Sequence, residues 1–127
     1  MNHYYYDILK ELGYIGLKNS RDLANKLEED ISDERIKSTF FNGSKDEDLI
    51  QDCISVLYSC VSACYSYLAG NFESCLDMLK SIKDCSNTLS EKLKSCEGKK
   101  SVAVDAVCTY TIDTITSDVT RIMKNRI

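Results

Sequence analysis

The chain has 127 residues, 43% hydrophobic and 28% charged, which is the balance of one globular domain with one core and not of a disordered tail. Its net charge of −4, with no basic stripe, argues against nucleic acid and anionic membrane as partners. No apolar run approaches the roughly 20 residues of a membrane span, and the start, MNHYYYDILKEL, lacks the charged, apolar and small-residue regions of a signal peptide, so a cytosolic chain or a mature fragment is expected.

Proline is absent and glycine occurs five times, so long uninterrupted helices are expected. The first is read from about Tyr4 to Glu29. Leu9, Leu12, Gly16, Ser20, Leu23, Leu27 and Ile31 recur at steps of three or four, an apolar-to-small stripe on one face. Gly13 and Gly16 each cost about 1 kcal/mol against alanine in a helix. They read either as points of close approach for a neighbour or as a weak spot near the helix start. Ser32–Phe41 follows as a short helical turn over the bundle end, and Asn42-Gly43-Ser44 as a loop.

The second helix is read from about Lys45 to Leu68. Ser44 and Glu47 have capping-box spacing, and Asp46, Glu47 and Asp48 place negative charge at the positive end of the helix dipole. Its stripe is Leu49, Ile50, Cys53, Val56, Leu57, Cys60, Val61, Cys64, Tyr67 and Leu68. Ala69-Gly70-Asn71 reads as a tight turn, with Gly70 ending the helix in the left-handed conformation and Asn71 capping the next. The third helix, about 71–94, carries Phe72, Cys75, Leu76, Met78, Leu79, Ile82, Cys85, Leu89 and Leu93. So short a turn lays it antiparallel to the second.

Cys96-Glu97-Gly98-Lys99-Lys100 reads as a loop. The last segment, about 101–126, is ambiguous locally. Val102, Val104, Ala106, Cys108, Tyr110 and Ile112 alternate as in a strand, and β-branched residues crowd Thr109–Ile115. Over a longer window Val104, Cys108, Ile112 (or Thr111), Ile115, Val119 and Ile122 form a helical stripe. Length and the lack of a second strand candidate favour a fourth helix. The fold expected is all-α, an antiparallel up-down-up-down four-helix bundle in a single domain.

All seven cysteines lie between Cys53 and Cys108, and the one histidine is His3. Two-cysteine-two-histidine zinc sites are excluded. Cys60 and Cys64 share a helix face that Cys75 could approach, but no C-x-x-C knuckle accompanies them, so no metal site and no cofactor are expected. About the 69–70 turn, Cys53 and Cys85 lie at nearly equal distances along the two arms, as do Cys64 and Cys75. Two matched pairs on facing apolar stripes point to two disulfides or two buried thiol contacts. A Cys53–Cys85 bond would stabilise by about 3–4 kcal/mol on a chain-entropy estimate. Cys60, Cys96 and Cys108 are left over, and an odd total leaves at least one thiol free or available for a link between chains, hence a possible dimer. Carboxylates gather at Glu28, Glu29, Asp30, Asp33 and Glu34 and again at Asp46–Asp48, as caps and a solvated face; no base–nucleophile constellation joins them, so no catalytic residue and no enzyme activity are expected.

From about Leu12 onward the order of features resembles the plant invertase inhibitor and pectin methylesterase inhibitor family. LGYIGLKNSRDLANKLEEDI is similar to that family's first bundle helix, DLIQDCISVLYSC to the opening of its second, LAGNF to its hairpin tip, IKDCSNTL to the end of its third, and TIDTITSDVTRIMKNRI to its last. The family's disulfide joins the second and third bundle helices, and Cys53–Cys85 would be its counterpart. The chain departs from the family in having no cysteine before Cys53, so the disulfide-closed N-terminal hairpin is expected to be missing or to have been removed. Each arm of the central hairpin is also about one turn shorter, the extra cysteines have no family counterpart, and of the invertase-inhibitor tip only the aromatic is kept. The resemblance implies a secreted, cell-wall inhibitor that docks on the active-site cleft of an invertase or a pectin methylesterase. Gly70, Asn71 and Phe72 would form the contacting tip, flanked by Tyr65 and Glu73. An aromatic on a rigid tip suits an anchor, although Phe72 could equally close the bundle end. The competing expectation is a non-catalytic interaction or adaptor bundle in the cytoplasm, for which Tyr4, Tyr5 and Tyr6 would supply a patch.

Overall fold

The computed structural model describes residues 3–32, 47–93 and 101–125, and the chain there is all-helical. The helices are α1 (His3–Leu12), α2 (Ser20–Ser32), α3 (Glu47–Leu68), α4 (Phe72–Leu93) and α5 (Ser101–Asn125). The turn expected over Ser32–Phe41, the Asn42-Gly43-Ser44 loop, the Ser44–Glu47 capping box and the Cys96–Lys100 loop lie outside the described residues, Ser32 and Glu47 themselves excepted.

The continuous first helix expected from Tyr4 to Glu29 is corrected: it is two helices. Gly13 takes φ +87° and Gly16 φ +97°, both left-handed. The Gly13 N–H donates to the Lys10 carbonyl at 3.2 Å and the Tyr14 N–H to Leu9 at 2.9 Å. That pair of bonds is a Schellman close, which satisfies the last carbonyls of α1. α2 restarts at a cap of its own: the Asn19 side-chain oxygen accepts from the Asp22 N–H at 2.9 Å, and its carbonyl accepts from Leu23. The glycines therefore end a helix and turn the chain. The reason is local, since glycine pays no Cβ penalty in the left-handed region.

The break lets Tyr14 turn inward, where it is wholly buried. Its hydroxyl donates to Asp30 Oδ2 at 2.8 Å, Lys26 Nζ reaches Asp30 Oδ1 at 3.3 Å, and the Lys26 ammonium stands 5.6 Å from the centre of the Tyr14 ring. Asp30 is only 5% exposed, so it is a buried carboxylate with two partners rather than the solvated residue expected of the Glu28–Glu34 cluster.

α3 occupies the centre of the contacts, packing on α2, α4 and α5, while α5 also touches α1, α2 and α4. The expected stripe on α3 is the buried one at Cys53, Val56, Leu57, Cys60, Val61 and Cys64. On α4, Cys75, Leu79, Ile82 and Leu89 are buried; Cys85 is exposed, and the neighbouring Ser86 turns inward to meet Asp105 of α5 at 2.9 Å. α5 is helical throughout its described length despite its β-branched run. Of the two alternatives for its stripe, the inward residue is Thr111, wholly buried, with Ile112 half-buried beside it. The Thr111 hydroxyl donates back to the Val107 carbonyl at 2.9 Å, which removes the cost of burying it.

Candidate functional site

The expected contact region centres on the α3–α4 tip, and its shape is set by backbone hydrogen bonds. The Ala69 N–H donates to the Tyr65 carbonyl at 2.9 Å, Gly70 to Tyr67 at 3.0 Å, and Asn71 to Ser66 at 2.9 Å. The last two form a second Schellman close, with Gly70 at φ +82°. The Asn71 carbonyl then accepts from the Cys75 N–H at 2.9 Å, which places Asn71 at the cap of α4, as expected. One residue thus ends one helix and the next begins another, with no slack between them.

The structure brings the five expected contact residues to this end but does not turn all of them outward. Gly70, Asn71 and Glu73 are exposed, as are Tyr65 at 41% and Leu68 at 37%. Phe72 is half-buried: it packs against the core and meets Tyr67 with ring centres 5.9 Å apart and planes tilted by 42°. Phe72 therefore closes the bundle end, and the outward aromatic is Tyr65. The Tyr65 hydroxyl donates to the Glu28 carboxylate of α2, a bond that raises its pKa. α2 thereby braces the flank of the tip. Two turns earlier on the same face of α3, Tyr58 is 52% exposed, so Tyr58, Tyr65 and Leu68 carry apolar surface along the outside of α3 toward the tip.

At the other end of the same hairpin an open groove of about 340 Å³ runs between Asp52 and Val56 of α3 and Asp84, Cys85, Thr88 and Leu89 of α4. Cys85 lines this groove and is exposed, while Cys53 is wholly buried. The matched spacing of Cys53 and Cys85 holds along the arms but not around them. Among the described residues no two sulfurs are at bonding distance, and Cys53, Cys60, Cys64, Cys75, Cys85 and Cys108 are thiols.

Five of those thiols lie inside the bundle on three helices: Cys53, Cys60 and Cys64 on α3, Cys75 on α4 and Cys108 on α5. Cys60 Sγ and Cys108 Sγ are 3.9 Å apart, and Cys75 Sγ donates to the Ala63 carbonyl at 3.5 Å. The Cys60 thiol is pushed well up by its hydrogen bond to Cys108 and by burial. Burial, helped by Cys60 and Cys75, pushes Cys64 up to about 12. Burial with the nearby Asp52 charge pushes Cys53 up to about 12, and burial raises Cys75. At neutral pH these groups are protonated and weakly nucleophilic. Cys64 and Cys75 are both wholly buried, and Cys75 lies close enough to influence Cys64 electrostatically. Among the described residues no group of three or more His, Cys, Asp or Glu side chains is disposed to hold a metal ion, and no helix is long and apolar enough to cross a membrane.

Sequence reading missed the Tyr14–Asp30–Lys26 cluster and the Glu28–Tyr65 brace. Lys26 and Asp30 carry the spacing of a helical ion pair, but the inward turn of Tyr14 was hidden by treating Gly13 as a helical residue. Comparison with protein-family models, with curated proteins and with solved structures finds no match.

Proposed function

We propose that this chain is a proteinaceous enzyme inhibitor that works by docking its α3–α4 tip on the active-site cleft of a cell-wall invertase or pectin methylesterase. The observation that carries the reading is the tip itself. It is closed by main-chain hydrogen bonds, braced from α2 through Glu28 and Tyr65, and exposes Gly70, Asn71, Glu73 and Leu68. A rigid tip loses little conformational entropy on binding, which favours insertion into a pocket. Tyr65 replaces Phe72 as the aromatic anchor in this reading. The reading also takes the bundle as antiparallel up-down-up-down, with α1 and α2 together as its first arm. In an oxidising cell wall it takes Cys53–Cys85 as the hairpin disulfide. That bond needs α4 to roll until Cys85 turns from the groove toward Cys53.

The test is inhibition of purified acid invertase and pectin methylesterase by the protein refolded under oxidising conditions. Inhibition of one of them, weakened at least tenfold by Tyr65→Ala together with Asn71→Ala, is the expected result. No inhibition of either enzyme at micromolar protein overturns the reading. The second reading, an interaction or adaptor bundle in the cytoplasm, is favoured by the exposed stripe of Tyr58, Tyr65 and Leu68 and by six cysteines held as thiols. Seven alkylatable thiols in protein isolated without reductant would put that reading ahead.

A further inference from the structure

We propose that Cys60 and Cys108 are a disulfide-forming pair, a modification site at which a low-molecular-weight disulfide oxidises the two thiols and ties α5 to α3. The pair faces across the bundle with 3.9 Å between sulfurs, although the residues are 48 apart in the chain. A disulfide bond is about 2.05 Å long, so the sulfurs close by about 1.9 Å, shared between two side-chain rotations. Among the described residues Cys60 and Cys108 are the pair of cysteines with a sulfur–sulfur hydrogen bond. Cys75 is spent on the Ala63 carbonyl, and Cys85 sits outside in the groove.

The position is also where a tie has most effect. Cys108 stands at the head of the β-branched stretch Thr109–Ile115, where the local preference for a helix is weakest. A bond from Cys108 to the central helix fixes that stretch against the core at its first residue. This inference does not depend on the docking reading.

Both sulfurs are wholly buried in the folded chain, so the reaction belongs to folding, before the helices close. One thiolate attacks a sulfur of the oxidant R–S–S–R and displaces R–S⁻, leaving a mixed disulfide. The second thiolate then attacks the protein sulfur of that mixed disulfide and displaces the other R–S⁻. Two electrons pass from the cysteine pair to the oxidant, and the two thiol protons end on the two R–SH released. Once the helices pack, the same burial keeps reductants out.

The experiment refolds the reduced, denatured full chain in a mixture of reduced and oxidised glutathione, quenches with acid, alkylates under denaturing conditions and digests with trypsin without reduction. Cys108 falls alone in the fragment 101–121, and Cys60 in the fragment 46–80 with Cys53, Cys64 and Cys75. The expected product is 101–121 linked to 46–80, with tandem mass spectra placing the link on Cys60 and alkylation of Cys108 reduced at least tenfold. In Cys60→Ala the 101–121 fragment returns alkylated. The folded, oxidised protein keeps the link in millimolar dithiothreitol and loses it when denaturant is added. Full alkylation of Cys108 after refolding, or a link from Cys108 to any other cysteine, overturns the assignment. The parent spectra decide this even where the alanine variant fails to fold.

Discussion

Replacing Tyr14 by phenylalanine removes one oxygen from the interior and keeps the ring, its packing and its contact with the Lys26 ammonium. What is lost is the 2.8 Å hydrogen bond to Asp30, a carboxylate 5% exposed. A hydrogen bond to a charged group contributes about 1.5–3 kcal/mol, and a buried acceptor deprived of its donor keeps the desolvation cost without the return. Lys26 still holds the other oxygen at 3.3 Å, so the carboxylate is not left alone. We therefore expect Tyr14→Phe to cost about 2 kcal/mol in urea unfolding, with an unchanged m-value. For a chain of this length that is a fall in Tm of about 7 °C. Adding Asp30→Asn to the Phe variant should recover part of the loss, giving a coupling of about 1 kcal/mol or more in the double-mutant cycle. A loss below about 0.5 kcal/mol, or no coupling, would refute the stabilising role of the Tyr14–Asp30 bond.

Three further outcomes follow from the same structure. Gly70→Ala meets no atom within 4 Å of the added Cβ, so its cost is backbone strain at φ +82° alone, about 1–2 kcal/mol, and Gly70→Asn should cost less; equal losses for the two would argue against a left-handed cap. Leu57→Ala, at a site 1% exposed, should cost about 3–5 kcal/mol and lower the denaturation midpoint accordingly. Cys53 and Cys64 rise from 9.0 to about 12 on folding, so the folded state holds their protons more tightly. The stability from these two groups is complete below pH 9 and is lost as pH rises from 9 toward 12, at up to about 1.4 kcal/mol per pH unit for each group. Urea titrations between pH 8 and 10.5 should show that decline, and the Cys53→Ala, Cys64→Ala double variant should lessen it, leaving the part due to Cys60 and Cys75; an unchanged slope in the double variant would refute burial of Cys53 and Cys64 as its origin.

Much of the fold is legible from spacing. The α3 stripe, the Gly70 close and the Asn71 cap each depend on residues within one or two turns of each other, and local hydrogen-bond geometry and helical period decide them. The helical state of α5 is legible as well, though by length rather than by propensity, because packing overrides the preference of Thr109–Ile115. The break after Leu12 was within reach of the same reasoning. Gly13 and Gly16 permit two outcomes at nearly equal local cost, and the inward position of Tyr14 separates them.

Rotation about the helix axis is what spacing leaves open. Distances along two arms place Cys53 opposite Cys85 and Cys64 opposite Cys75, but each residue advances about 100° around its helix, so the roll of α4 decides whether Cys85 or Ser86 stands at the interface. The same freedom places Phe72 against Tyr67 and leaves Tyr65 outside, and it brings Cys60 to Cys108 across 48 residues of chain. The helical hairpin, its turn and its apolar faces follow from the order of residues alone, because those depend on neighbours along the chain. Which thiols meet, which aromatic faces out and which carboxylate is buried are decided by tertiary packing, because each depends on how several helices roll against a shared core.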